Sequence, residues 1–534
     1  MAASGSHSPS IKPNFKTPEG RYKLSHQKTH SPGLHFGHIR TVTQVTMAHL
    51  KERSSTTPSF SSSGLSASSS MKMVTQKFLG SANGVKNFAF GGGISVSKLP
   101  VSYIRFAGGS SLGSSASNGP AISSFDGDGT YMVFNVGDTI FISDYNSHSK
   151  DPTKAILFSN GIPVCHAFDA EANDGHDMLV GMSSGDIYSM SLRQQLQDPG
   201  KKLVAAMHYN KDGSVNSSRC TALAWVPDGD GQFVVAHADG NLYVYDKNKE
   251  GSGDASFPPV KETTQFLVVH ARSSKSNPLA RWHICQGSIN SLAFSADGRF
   301  LATVGRDGYL RIFEFKIEQL TCGCKSYFGA LLCCAWSMDS KYVLIGGEDD
   351  LVQVWSMEDR AVVAWAEGHN SWVSGVAFDP FWTPPPSDGN EDAITYRFGS
   401  VGQDTQLLLW DLSMNEVVVP LRRLNSGGSP TLSSKSGHLF QWDNVHSRLG
   451  VLQPPPMRRE IPKLAPIVAH RVHVEPLSGL IFTKNAILTV CHEGHVKVWA
   501  RPDSPIGEQE KAFDSDKERN SLSNKLGSSS QSKH

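Results

Sequence analysis

Residues 327–356 read YFGALLCCAWSMDSKYVLIGGEDDLVQVWS, followed by GHNSWVSGVAFDP from Gly368 and YRFGSVGQDTQLLLWD from Tyr396 to Asp411. The same cycle runs twice. An alternating apolar run is followed by a turn, a second such run, a tight Asp-containing turn, and a third run ending in Trp355 or Trp410. Alternation at period two puts successive side chains on opposite faces of a strand, so each cycle reads as a small antiparallel sheet. The two tryptophans lie further apart than one repeat because the Pro-rich insertion 381–392 intervenes. A small sheet cannot bury its own faces. Repetition around a ring hides each face against a neighbour and leaves only short, protected edges.

Working outward, seven cycles can be counted. The first uses VSYIRFA (101–107), YMVFNV (131–136) and TIFISD (139–144); the second uses PVCHAF (163–168), MLVGMS (178–183) and DIYSMS (186–191). The third spans Cys220–Asp246 and the fourth Ile289–Phe315. The fifth and sixth are the stretch quoted above, and the seventh is LSGLIF (477–482), AILTVC (486–491) and HVKVWA (495–500). Turn residues (PDGDG, ADG, RDG) sit between the runs, where a hairpin needs them. The pattern resembles the WD40 repeat, about 40–45 residues with four strands per blade. It predicts an all-β, seven-bladed WD40 β-propeller over residues 101–502, with long inter-blade insertions at 247–279 and 415–466.

Outside those limits the composition changes. Residues 1–100 are Ser/Gly-rich, as in SSTTPSFSSSGLSASSS at 54–70, and such a segment buries too little apolar surface to offset its ordering entropy. One island, FKTPEGRYKL at 15–24, alternates aromatic and apolar residues around a Pro-Glu-Gly turn. Because a ring must have its ends joined, this island is the candidate strand that completes the last blade. The tail 503–534 is polar and reads as disordered.

The chain has 534 residues, a formal net charge of +1 and eight cysteines. Near-zero charge gives no global field for nucleic acid or an anionic membrane. No apolar run approaches the roughly 18 residues that span a bilayer, and the N-terminus lacks a signal-peptide pattern. Unpaired-looking cysteines on apolar strand positions suit a reducing compartment. The expectation is an intracellular protein of the cytoplasm and nucleus.

Ser400, His369 and Asp404 invite comparison with a hydrolase triad. Their spacing argues otherwise: Asp404 and Ser400 stand six and ten residues before Trp410, and His369 lies at the blade entrance. In WD40 repeats these four positions form a buried hydrogen-bond chain that locks one blade. A satisfied polar network of that kind rigidifies a fold. Thr303 and Asp307, with Phe313 for Trp, keep part of the pattern, as do Thr489 and Trp499 with Glu493 at the Asp position. Cys322, Cys324, Cys333 and Cys334 lack the paired C-x2-4-C spacing of a zinc site, and adjacent Cys333 and Cys334 must face opposite ways on a strand. They read as small core residues. His283, His470 and His473 have no ligand spacing, and no phosphate-binding Gly-rich loop is present. No enzyme activity, cofactor, metal or small-molecule substrate is expected.

Phe328 and Trp372 occupy nearly equivalent entrance positions of neighbouring blades, so both fall on one rim. Exposed aromatic anchors at such surface loops are what binding hot spots consist of.

The runs RWHICQGSINSLAFSADGRFLATVGRDGYLRIFEF, KSYFGALLCCAWS, GGEDDLVQVWS, GHNSWVSGVAFDP and YRFGSVGQDTQLLLWDL resemble one WD40 family more specifically, with PEGRYKL, CHAF and VKVWARP as further matches. It is the family of WD-repeat protein twenty, the dystrophia myotonica WD-repeat protein and the fungal catabolite-repression protein creC. The resemblance implies a non-catalytic partner that binds and activates a ubiquitin-specific protease, alongside a second WD-repeat protein. It also implies protease contacts in the KSYFG and SWVS motifs, carried here by Phe328 and Trp372. Two rival readings are a substrate receptor of a cullin-type ubiquitin ligase and a general peptide-binding scaffold. The first usually carries Arg two residues after the terminal Asp of a blade, whereas Leu412 and Ser413 follow Asp411.

Overall fold

A computed structural model describes residues 11–29, 42–51, 129–383 (apart from 148, 150, 160, 173–174, 201, 252–255 and 261–265), 394–414 and 450–502. Seven sheets, each with an antiparallel core of four strands, follow one another around a ring. Blade 5 is representative, running outward through Leu331–Trp336, Tyr342–Gly347, Leu351–Ser356 and Ala361–Glu367. In its second and third strands every residue is buried. The reason is that a blade is covered on both faces, so alternation selects which neighbour a side chain meets rather than core against water. Leu344, Val352 and Val354 join Phe398, Leu408 and Trp410 of blade 6, while Val343, Ile345 and Trp355 join Ala302, Leu310 and Ile312 of blade 4. The core is therefore a set of layers between blades. Burying each such aliphatic side chain is worth about 1.5–3 kcal/mol.

Turn chemistry matches the sequence. In the Ala238-Asp239-Gly240 turn of blade 3, Gly240 has φ +82, and a Cβ there would sit 1.8 Å from the Cys285 carbonyl oxygen. Only glycine fits. A feature the sequence did not announce is a register shift near the start of the innermost strand, repeated in six blades, for example between Leu331 and Cys333 and between Val373 and Gly375. Such bulges re-aim the chain locally, here where the entrance loop meets the sheet.

The ring closes through the N-terminal segment. Gly20–Thr29 pairs antiparallel with His495–Ala500 as the outer strand of blade 7, and Asn14–Thr17 adds a fifth strand. The island at 15–24 thus has the expected role, and its strand runs on to Thr29. Side chains lock the join. Arg397 of blade 6 donates to Glu19 (2.7 Å) and to both carboxylate oxygens of Asp411. Arg501 donates to Asp379 (2.7 Å) and to the Tyr22 hydroxyl (3.4 Å), which in turn donates to Glu19 (3.3 Å). Phe15 stacks on Tyr22 with ring centroids 4.9 Å apart. At the far end of the strand, buried Lys28 donates to the Ser147 and Ser149 carbonyls of blade 1.

Three expectations are corrected. The innermost strand of blade 1 is Val45–Leu50, paired with Gly129–Val136, and the segment 101–107 assigned that place lies outside the described residues. The ordered propeller therefore includes strands from within 1–100. The insertion 247–279 is not all loop, because Leu267–His270 forms a fifth strand on blade 3. The insertion 415–466 likewise supplies Val451–Gln453 parallel to Gln319–Lys325 of blade 4, and Lys463–Leu464 parallel to Ala361–Glu367 of blade 5. These short pairings use backbone groups of sheet edges that would otherwise lie open. The tail 503–534 lies outside the described residues.

Tyr22 is almost fully buried where blades 6 and 7 meet the N-terminal strand. Tyr22→Ala is expected to cost about 3–5 kcal/mol, measured by denaturant unfolding. Arg21→Ala, at an exposed position of the same strand, is expected to stay within about 0.5 kcal/mol.

Candidate functional site

The entrance loop of blade 6, Gly368–Trp372, precedes Val373–Phe378, and its His369 side chain is drawn under the blade. His369 Nδ1 lies 3.0 and 3.1 Å from the Asp404 carboxylate oxygens, and its Nε2 lies 2.7 Å from Ser400 Oγ. Trp410 Nε1 donates to the same hydroxyl oxygen at 2.9 Å. With Nδ1 protonated, the chain is complete. Trp410 donates to Ser400, Ser400 to His369, and His369 to Asp404. Burial pushes the Asp404 carboxyl up, but hydrogen bonds from His369 and from the Asn370 and Gln406 amides outweigh this and hold it below the usual value. Ser400 and the His369 side chain have no solvent exposure. The sequence pattern of a triad is thus a sealed lock between strands, in which the serine oxygen already accepts an indole hydrogen.

Blade 7 contains a shorter version. His473 Nε2 lies 2.9 Å from Thr489 Oγ1, to which Trp499 Nε1 donates at 3.0 Å. His473 stands four residues before the first residue of its inner strand, the same offset as His369, and that offset, rather than any ligand spacing, is the signal the sequence carries for it. Glu493, expected at the Asp position, is exposed. In blade 4, Asp307 instead pairs with Arg311 at 2.6 Å. Blade 5 has Ile345 where blade 6 has the serine, and buried Trp355 Nε1 has no acceptor among the described residues.

Cys333 and Cys334 face opposite neighbours, with Cys333 Sγ near the Val373 carbonyl of blade 6 and Cys334 Sγ near Ser291 of blade 4. Burial pushes the Cys322 and Cys334 thiols up to about 12, and those of Cys324 and Cys333 higher. His283 meets Asn241 Oδ1 at 3.0 Å, and His470 meets the Lys12 carbonyl at 3.1 Å. Among the described residues no group of three or more His, Cys, Asp or Glu is placed to hold a metal ion.

The rim presents different chemistry. Phe328 is 69% exposed and Trp372 42% exposed, the first in the connection between Gln319–Lys325 and Leu331–Trp336, the second between Ala361–Glu367 and Val373–Phe378. Both connections run from an outer strand to the next inner strand, so both emerge on the same side of the ring. The Cys333–Val373 contact places the two inner strands side by side. Neither aromatic is sealed between sheets. Beside Phe328, Tyr327 is half-exposed, lies edge-on to Trp365 (6.4 Å) and carries the Arg458 guanidinium on its face at 4.7 Å. Local spacing carries no signal for this arginine contact, because Arg458 arrives from the distant insertion.

A family model described as WD domain, G-beta repeat matches residues 277–314 and 321–356, which contain the three inner strands of blade 4 and of blade 5. The chain is similar to WD repeat-containing protein 20 of Mus musculus, 31% identical over 510 residues, covering 70% of this chain and 88% of that protein. Matches among solved structures include the WD40 beta propeller domain of Doa1, with a TM-score of 0.42 and 11% identity over 70% of this chain and 90% of that one. They also include a chain of the Mitotic Checkpoint Complex, with a TM-score of 0.44 and 13% identity over 70% of this chain and 84% of that one.

Two measurements check the lock. Ser400→Ala strands the Trp410 indole and His369 Nε2 in the interior, and an unfolding experiment is expected to show a loss of about 1–3 kcal/mol for each buried group left unpaired. Burial lowers His473 to about 3, with Lys497 adding to the effect, and lowers His166 to about 4. Between those values and the ordinary 6.5 the unfolded chain binds more protons than the native one, so stability rises with pH across that window. Stability is expected to fall as pH drops below about 6.5, with a shallower slope in His473→Gln.

Proposed function

The chain belongs to the WD40-repeat family of WD repeat-containing protein 20, and on that premise we propose that it is a non-catalytic scaffold that binds and activates a ubiquitin-specific protease. The observation that carries this reading is the exposure of Phe328 and Trp372 on one side of adjacent blades. Large aromatics held out of the core by a rigid frame lose little conformational freedom on binding, and such residues dominate hot spots. Protein partners are the general expectation for a propeller rim of this kind. The step from a protein partner to a ubiquitin-specific protease rests on the likeness of the KSYFG and SWVS motifs to those of the family.

The protein works by gripping the protease away from its catalytic cysteine and favouring the productive conformer. Such a shift is limited by the difference in affinity for the two conformers, typically about 1–3 kcal/mol. A second WD-repeat protein joins the same assembly, in the cytoplasm and nucleus.

The test is a ubiquitin-cleavage assay with purified protease and full-length chain, together with a direct binding measurement. Phe328→Ala and Trp372→Ala are each expected to weaken binding by about 2 kcal/mol or more, roughly 30-fold, and to remove activation with the melting curve unchanged. Undiminished binding and activation by the double variant would dismiss this surface.

A further inference from the structure

The face that carries Phe328 and Trp372 does not end at blade 6. The inner strands of blades 6 and 7 are joined where they begin, Ser374 Oγ donating to the Leu477 carbonyl at 2.6 Å. The blade 7 entrance, residues 472–476, therefore lies beside the blade 6 entrance. Backbone bonds stitch the loops of this side together. The Glu348 amide donates to Ala330, Gln403 to Trp372, Val472 to Thr405, and His492 to Pro476. In blade 7, Val474 holds the place that Phe328 holds in blade 5, each three residues before the first strand residue, and it is 57% exposed. Three apolar side chains thus stand along three consecutive blades.

Acidic side chains predominate in the loops around them. The six connections on this side of blades 5–7 (326–330, 348–350, 368–372, 403–405, 472–476 and 492–494) contain Glu348, Asp349, Asp350, Asp404, Glu475 and Glu493 and no Lys or Arg. The whole chain is nearly neutral at +1, so this is a local accumulation. Three of the six are committed internally. Glu348 accepts from the Ala330 amide, Asp349 from Leu351 and Gln353, and Asp404 from His369. Asp350, Glu475 and Glu493 are partly or fully exposed, and among the described residues none of them forms an ion pair. One cation reaches this side, Arg471 at the end of the outer strand of blade 6, whose Nε donates to Thr405 Oγ1 at 3.2 Å and to the His473 carbonyl at 3.3 Å, while Arg458 on Tyr327 and Lys325 near Tyr309 lie toward blade 4.

We propose that the docking face spans blades 5 to 7, with Val474 as a third apolar anchor beside Phe328 and Trp372. Asp350, Glu475 and Glu493 select a partner surface whose apolar anchors are flanked by Lys or Arg. This rests on the reading of the rim as the protease-binding side and adds its extent and its charge preference. Apolar anchors supply affinity, and the unpaired carboxylates supply steering and discrimination, because like charge opposite them is repelled. Interactions between exposed charges are screened over about 8 Å at physiological salt, so this contribution depends on ionic strength.

The test titrates a purified ubiquitin-specific protease against full-length chain at low and physiological salt, using wild type, Phe328→Ala, Val474→Asp and the double variant Glu475→Lys with Glu493→Lys. The positions in blade 7 are surface positions, and matching melting curves check that the variants fold. Val474→Asp is expected to weaken binding at least tenfold. The double reversal is expected to weaken it about tenfold at low salt and to flatten the salt dependence. If Phe328→Ala weakens binding while the blade 7 variants match wild type, the extension is overturned and the two-aromatic site stands. If none of the variants weakens binding, both readings fail. Tighter binding by the double reversal would assign the face to an acidic partner. Self-association of wild type that Val474→Asp abolishes, seen by sedimentation, would assign it to a second copy of this chain; either result overturns the proposal.

Discussion

Backbone pairing between Gly20–Thr29 and His495–Ala500 puts the two ends of the propeller into one sheet, and the rest of the ring depends on it. An open ring would expose the outer edge of blade 7 and leave the blade 1 to blade 7 interface without a covalent tie on one side. Closing so long a loop costs chain entropy, though that cost grows only slowly with length. The local network offsets it with stacked Phe15 and Tyr22 and the bonds of Arg397 and Arg501. The strand also reaches both neighbours, through Tyr22 toward blade 6 and through Lys28 toward blade 1. A clasp with contacts on both sides is harder to open than a simple edge strand.

Once the ring is closed, individual blades tolerate different internal solutions. Blade 6 has the full Trp410–Ser400–His369–Asp404 chain, blade 7 a three-member form, and blade 5 an apolar Ile345 and an indole, Trp355, without an acceptor among the described residues. Buried polar groups are costly when only part of their network is present. The packing of each blade against two neighbours supplies enough apolar burial to carry such local deficits. The same packing explains why cysteines at 322, 324, 333 and 334 behave as small core residues, with thiols driven toward the neutral form.

A frame of this rigidity makes its rim useful. Phe328, Trp372 and Val474 are exposed because the bonds that hold their loops are backbone bonds to the adjacent turns, which leave the side chains unused. Affinity from such anchors needs little reorganisation. The insertion within blade 6, between its third strand and its outer strand Val468–Arg471, adds to the perimeter by pairing with the outer edges of blades 4 and 5 and bringing Arg458 onto Tyr327.

Much of this was legible in the residues themselves. Period-two runs separated by Asp- and Gly-containing turns determine strands, their antiparallel succession and the number of cycles, since hairpin pairing is local and its chemistry sits in adjacent residues. The offsets of His369, Ser400 and Asp404 from Trp410 determine a lock for the same reason. What the sequence could not decide is which distant segment joins which edge. VTMAHL at 45–50 carries no stronger pattern than VSYIRFA at 101–107, yet it is the former that pairs with Gly129–Val136. The two- and three-residue strands at 463–464 and 451–453 are too short to show any period. Such pairings are selected by which edge remains open after the blades have assembled, and that is a property of the closed ring rather than of any stretch of chain.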